Sequence, residues 1–240
     1  MSKRIQTLLL ATSFIFAAIL TAQGMDEVGL HLGVHGAGIW GGSVRASSTR
    51  TGMKAGFTLG GYSTSMRDER FGVQRGLYIS LKGGESDYHY ESSTMIQRYH
   101  VNNSLIYLEV PLLGVWVYSD KLSLLAGAYI DYFLLGVSDI QGTTDVPGEP
   151  IQKVDEIQEL APGDLKKLGY GLIAGVSCSL GKMNLVFRCS LGLNNVMIRD
   201  RYFLFGEYDW SRRYSRVDVR NYALQFLLEY PIRKGSSGTS

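Results

Sequence analysis

Five charged residues fall at positions that can bring them together inside one structure: Lys54, Lys82, Glu109, Asp131 and Arg188. Each lies in a stretch where apolar residues alternate with small or polar ones, and each takes the less apolar parity. If Tyr118 pairs with Leu122 across a short turn, Glu109 falls opposite Asp131. Two carboxylates side by side suit an acid–base pair or a charge network, because unpaired buried carboxylates are costly. Three cations of matching parity favour an interior network, and such networks perturb ionisation without doing chemistry. No residue is therefore assigned a catalytic role, and the chain is expected not to be an enzyme.

The remaining reactive residues point the same way. His31 and His35 share a strand face and His89 and His100 flank a loop, none at ligand spacing with Cys or carboxylates, so neither a metal nor a cofactor is expected. Cys178 and Cys189 share a parity, but a hairpin through Gly181-Lys182 sets Cys178 beside Leu185, about 13 Å along the strand from Cys189 at ~3.3 Å per residue. A disulfide needs Cα atoms within ~7 Å, which predicts free thiols on the apolar face. No Gly-rich phosphate loop or nucleophile motif is present. Between Asp200 and Tyr214, Arg201, Tyr202, Phe203, Phe205, Tyr208, Trp210, Arg212 and Arg213 combine aromatic area with cations. That segment is a candidate docking loop; its alternative is a membrane girdle in contact with lipopolysaccharide phosphates.

The elements that must position these residues are read from a period of two. Tyr170, Leu172, Ala174, Val176, Cys178 and Leu180 occupy one parity; after Gly181-Lys182 the apolar set resumes at Met183, Leu185, Phe187, Cys189, Leu191 and Leu193. A two-residue loop with Gly first suits a type II′ hairpin and keeps both sets on one face. The same dyad runs from Leu122 to Leu134 and from Tyr222 to Tyr230, with weaker copies over Val28–Trp40, Thr51–Ser65, Phe71–Tyr90 and His100–Tyr118, which makes eight strands. Short connections (Met66–Arg70, Ser119–Lys121, Gly181-Lys182) alternate with long ones (Gly41–Arg50, Glu91–Arg98, Val137–Leu168, Asp200–Tyr214).

That asymmetry predicts an all-β, eight-stranded, antiparallel up-and-down transmembrane barrel with both termini periplasmic. A lipocalin-like soluble barrel would place Lys, Glu and Thr on its outer face. Here the less apolar face is mostly Gly, Ser and Asn and the other is continuous Leu, Val, Ile and aromatics, which suits an apolar exterior around a closed ring. Residues 1–22 have the charged, apolar and small-residue order of a secretory signal, with cleavage after Ala22 or Gly24. Residues 23–234 form the barrel, and 235–240 read as a linker or tag scar. The net charge of +2 gives no argument for nucleic acid, and no later apolar run suits a spanning helix.

Eight strands leave a lumen that side chains fill, so the interior is expected to be a polar plug rather than a pore. Pro111 predicts a bulge that would account for apolar residues on both parities from Leu112 to Val117. Tyr62, Tyr78, Tyr118, Tyr132, Tyr170, Tyr222 and Tyr230 are girdle candidates. Val137–Leu168 is expected to cap the barrel or reach a partner, with a helix within Lys153–Leu168.

Two stretches, Phe71-Gly72-Val73-Gln74-Arg75-Gly76-Leu77-Tyr78-Ile79-Ser80-Leu81-Lys82-Gly83-Gly84 and Tyr107-Leu108-Glu109-Val110-Pro111-Leu112-Leu113, resemble the PorT-like outer-membrane β-barrel family of the Bacteroidota, and Leu124-Leu125-Ala126-Gly127-Ala128-Tyr129 continues the likeness. Arg75 is a charge at an outward-parity position and departs from the residues expected there, so a register shift or the end of the lipid band is expected in that strand. The resemblance implies an outer-membrane barrel linked to envelope assembly, with one member assisting type IX secretion. The functional expectation is an accessory or interaction subunit with protein partners, in contact with outer-membrane lipid and lipopolysaccharide. The alternatives are a lipid-modifying enzyme and a barrel that binds a small ligand.

Overall fold

The computed structural model describes residues 27–41, 50–160, 165–194 and 219–234. They form β1 (Glu27–Gly41), β2 (Arg50–Gly52), β3 (Lys54–Met66), β4 (Phe71–Glu91), β5 (Ile96–Ser119), β6 (Leu122–Asp145), β7 (Gln152–Leu160), β8 (Leu168–Leu180), β9 (Met183–Gly192) and β10 (Val219–Lys234). The proposed signal, the tail and the whole candidate docking loop, Arg201 to Arg213, lie outside the described residues.

Eight of these strands close on themselves. Antiparallel pairing runs β1–β3–β4–β5–β6–β8–β9–β10, and β10 returns to β1. Closure pairs the backbone all round and removes sheet edges, the condition a strand protein must meet in hydrocarbon. The hairpin through Gly181-Lys182 has the anticipated register, Leu180 opposite Met183, with Gly181 at φ 67° as the turn requires.

Side chains divide by parity. Leu32, Val34, Leu59, Leu112, Ile130, Leu172 and Phe226 face outward and are exposed, whereas Tyr78, Glu109, Arg188 and Gln225 face inward and are buried completely. At the short-turn end Phe71 and Trp116 stack at 6.3 Å with Tyr118 edge-on to Trp116, giving one aromatic rim. Tyr132 and Tyr170 are outward near the other rim. Tyr62 and Tyr78 are not girdle residues: their parity turns them into the lumen, fully buried.

The longest connection is a sheet extension. β6 continues to Asp145 and β7 folds back on it with Thr144 opposite Gln152 and Gly136 opposite Leu160. The anticipated helix within Lys153–Leu168 is thus replaced by strand over Gln152–Leu160, because the overlong β6 offers backbone partners along that stretch. β4 and β5 are also overlong and stay paired as far as Glu91 opposite Ile96. One side of the barrel therefore continues as a blade beyond the apolar band.

Pro111 makes no bulge. Arg75 opposite Leu112 and Tyr78 opposite Glu109 keep one register, and the ladder skips only the intervening pairs, where the missing N–H of Pro111 falls. Nor does the register shift at Arg75, which stays paired with Ser63 and Leu112. The shifts on β5–β6 fall at Leu134, between the Ile106 and Tyr107 pairs, and at Tyr118. Beyond Leu134 the outward parity moves to Leu135 and Val137, a change the dyad alone did not reveal.

Candidate functional site

The centre of the lumen holds three groups of polar side chains. In the first, Lys82 Nζ lies 2.5 Å from Glu109 and 3.4 Å from Asp131, and those carboxylates stand opposite each other on β5 and β6. The same ammonium sits 4.8 Å from the Tyr129 ring centroid and 5.6 Å from that of Tyr107, so π faces complete its shell. All three charged groups are nearly inaccessible to solvent.

The second group surrounds Arg188. Its Nε donates to Gln225 Oε1 at 3.1 Å, its guanidinium lies 5.2 Å over the Tyr78 ring, and Nη2 reaches His31 Nε2 at 3.5 Å. The other nitrogen of His31 is 3.4 Å from Glu229, to which Gln74 also donates at 3.3 Å. A guanidinium nitrogen can only donate, so His31 Nε2 accepts from Arg188 and Nδ1 is the ring nitrogen turned towards the Glu229 carboxylate. His31 also stacks on Tyr78 at 4.2 Å. In the third group His35 donates from Nε2 to the Leu81 carbonyl at 2.8 Å, and its Nδ1 faces the Thr58 hydroxyl at 3.2 Å, which is bonded to Ser80 at 2.6 Å.

Of the five charges singled out in the sequence, Lys82, Glu109 and Asp131 come together, Arg188 sits in a separate luminal group, and Lys54 leaves the network. Lys54 bonds Asn102 and Ser104, which take the outward parity of β5 beyond the apolar band. Sequence reading placed His31 on a strand face without these partners, and it left out Glu229, Gln74 and Gln225. Parity alone placed them inward, but the β1–β10 register that sets His31 opposite Glu229 requires knowing that the ring closes.

Apolar layers flank these groups. Leu113, Val115, Leu125, Ile173, Val186 and Leu227 pack with Tyr129 at the short-turn end. Leu160 and Leu165, from the connection after β6, bury against Leu105, Tyr107 and Phe133 towards the long-loop end. The interior is therefore not a purely polar plug, and apolar residues on both parities of Leu112–Val117 reflect one set in lipid and another in the first layer. A cleft beside the Lys82 group, lined by Tyr107, Tyr129, Asp131, Gly169, Asn194 and Asn221, holds about one water molecule's worth of space. Among the described residues no cluster of His, Cys, Asp and Glu is arranged to hold a metal. Cys178 and Cys189 are free, with Cys178 opposite Leu185.

A closed ring with an apolar exterior, whose lumen holds buried polar and charged side chains between apolar layers, defines a membrane-spanning β-barrel. Residues 21–197 match the family described as outer membrane protein beta-barrel domain, and the chain belongs to that family. Among solved structures it is similar to Ail, the attachment invasion locus protein of Yersinia pestis, at 13% identity and a TM-score of 0.40, covering 86% of this chain and 99% of that one. Neisserial surface protein A is similar at 13% identity and a TM-score of 0.36, covering 87% and 99%. The outer membrane protein OprG from Pseudomonas aeruginosa is similar at 9% identity and a TM-score of 0.28, covering 86% and 94%. No curated protein sequence matches the chain.

Proposed function

We propose that this outer-membrane barrel is a non-enzymatic interaction subunit that works through its surfaces, with its short turns and both termini in the periplasm and its long blade outside. The observation that carries the reading is the packed lumen: the Lys82 and Arg188 groups fill its middle, and apolar layers flank them. An interior so filled offers a substrate little room, which leaves the lipid face, the rims and the β4–β7 blade as working surfaces. The PorT-like resemblance over Phe71–Gly84 and Tyr107–Leu113 makes envelope secretion or assembly, including type IX secretion, the pathway to test. Outer-membrane lipid and lipopolysaccharide are the proposed surroundings of its rims.

Affinity purification of the tagged full chain from membranes in mild detergent, paired with the secreted proteins of a deletion strain, tests this. Stoichiometric recovery of a membrane or periplasmic protein together with a changed secretome is expected. Recovery as a monomer with an unchanged secretome defeats the reading.

A further inference from the structure

Outward positions between the two aromatic rims are apolar, small or hydroxylic on every strand of the ring, with one exception among the described residues, Arg75. It pairs with Leu112 and Ser63, so it faces the same way as the 57%-exposed Leu112. From Phe71 to Leu81 the strand rises about 25 Å, at ~3.3 Å per residue and ~40° of tilt, the usual height of the apolar band. Arg75 then lies about 10 Å above Phe71, close to the bilayer midplane, where an arginine facing lipid is destabilising. Snorkelling to the nearer headgroups would have to span about 10 Å. Its hydroxyl neighbour Ser65 is 3.5 Å away, a long contact with a neutral acceptor that does not balance the charge.

The surface beside it is low. Half-buried Ser65 on β3 and exposed Gly114 on β5 share the face of Arg75, so a neighbouring segment can approach the backbone on either side of it. We propose that Arg75 is the centre of a lateral docking surface on β3, β4 and β5 for a membrane-embedded segment of a partner protein that presents a carboxylate at this depth. This names the in-membrane contact of the interaction subunit and rests on that reading. Charge argues against a second copy, since a two-fold contact centred here would set two guanidinium groups face to face.

The test uses the full chain in its native membranes with a photo-crosslinking residue at Val73 or Leu112, beside Arg75, and separately at Ile157 on the blade. A covalent adduct with an integral membrane protein is expected at Val73 and Leu112. Its yield falls at least tenfold with Arg75→Leu, persists with Arg75→Lys, and is lost with Arg75→Glu until the partner's contacting carboxylate is changed to Lys. No protein adduct at Val73 or Leu112 while Ile157 still crosslinks overturns the lateral site alone; no adduct at any position overturns the interaction reading as well. An adduct insensitive to Arg75→Leu also overturns the site. Purified wild type and Arg75→Leu are then unfolded with urea in phosphatidylcholine and in phosphatidylglycerol vesicles. The variant is expected to match or exceed wild type in both; selective stabilisation of wild type by phosphatidylglycerol would assign the acceptor to lipid phosphate and overturn the proposal.

Discussion

Lys82 stands between Glu109 and Asp131, its ammonium 2.5 Å from one carboxylate and 3.4 Å from the other, so a single cation serves two acids that face each other across β5 and β6. Removing it leaves like charges adjacent in a buried site. Lys82→Met is expected to destabilise the folded barrel by about 3–5 kcal/mol, the usual cost of breaking a buried pair from one side. Adding Glu109→Gln and Asp131→Asn should recover much of that loss. Urea titration in vesicles measures both, and a Lys82→Met midpoint equal to wild type would contradict the arrangement.

The same cluster separates interior from loop. Glu109 is fully buried, whereas Glu149 is exposed in the turn between β6 and β7. Glu109→Ala is expected to lower the melting temperature well beyond the effect of Glu149→Ala, which should fall within the ~0.5 kcal/mol typical of surface changes. Equal shifts would mean that Glu109 does not face the lumen.

Closure of the lumen predicts electrical silence. Among the described residues, Leu113, Leu125, Val186 and Leu227 pack on one side of the charges and Leu160 and Leu165 on the other, so an ion would have to cross both apolar layers. Planar bilayers containing the purified barrel should show no steady conductance, and liposomes should not swell in small sugars. Stepwise openings in wild type would show that one layer moves aside.

Much of this arrangement was legible because parity in a strand is a local property. Leu172 and Val176 against Gly171 and Ile173 follow from counting along the chain; Glu109 does stand opposite Asp131, although the turn pairs Ser119 rather than Tyr118 with Leu122 and a shift at Tyr118 restores the counted register. What remained hidden depends on non-local facts. The partnership of His31 with Glu229 needs the ring to close, and the escape of Lys54 from the lumen needs β4 and β5 to run past the band. The strand at Gln152–Leu160 carries a weak dyad of its own and forms because β6 supplies a template. Pro111 misled for a related reason: a ladder can drop two pairs without changing register, so a missing donor does not force a bulge.

The cysteines report on the outer face. Cys189 is exposed on the outward parity beside Leu224 and Ala174, and Cys178 lies opposite Leu122 and Leu185. In intact proteoliposomes neither thiol should react with a charged, water-soluble maleimide, and both should react once the barrel is unfolded. Reductant should leave gel mobility unchanged. Rapid labelling of the folded protein would mean that water, not lipid, covers this face.

The turn between β3 and β4 carries a pH dependence of known sign. Asp68 accepts hydrogen bonds from the backbone N–H groups of Arg70 and Phe71, both at 2.8 Å, and these donors hold its carboxyl below the ordinary value. A depressed carboxylate stabilises the fold above the unfolded-state pKa of about 3.9, and that contribution disappears as pH falls through the lower folded value. Because the turn is fully exposed, water screens the effect and it is expected to be small. Wild type should therefore exceed Asp68→Ala in stability by a constant margin from about pH 5 to 8, and the margin should shrink below about pH 4. Urea midpoints of the two proteins across that range decide it; a margin that grows on acidification would mean that Asp68 is held protonated instead, donating rather than accepting in the turn.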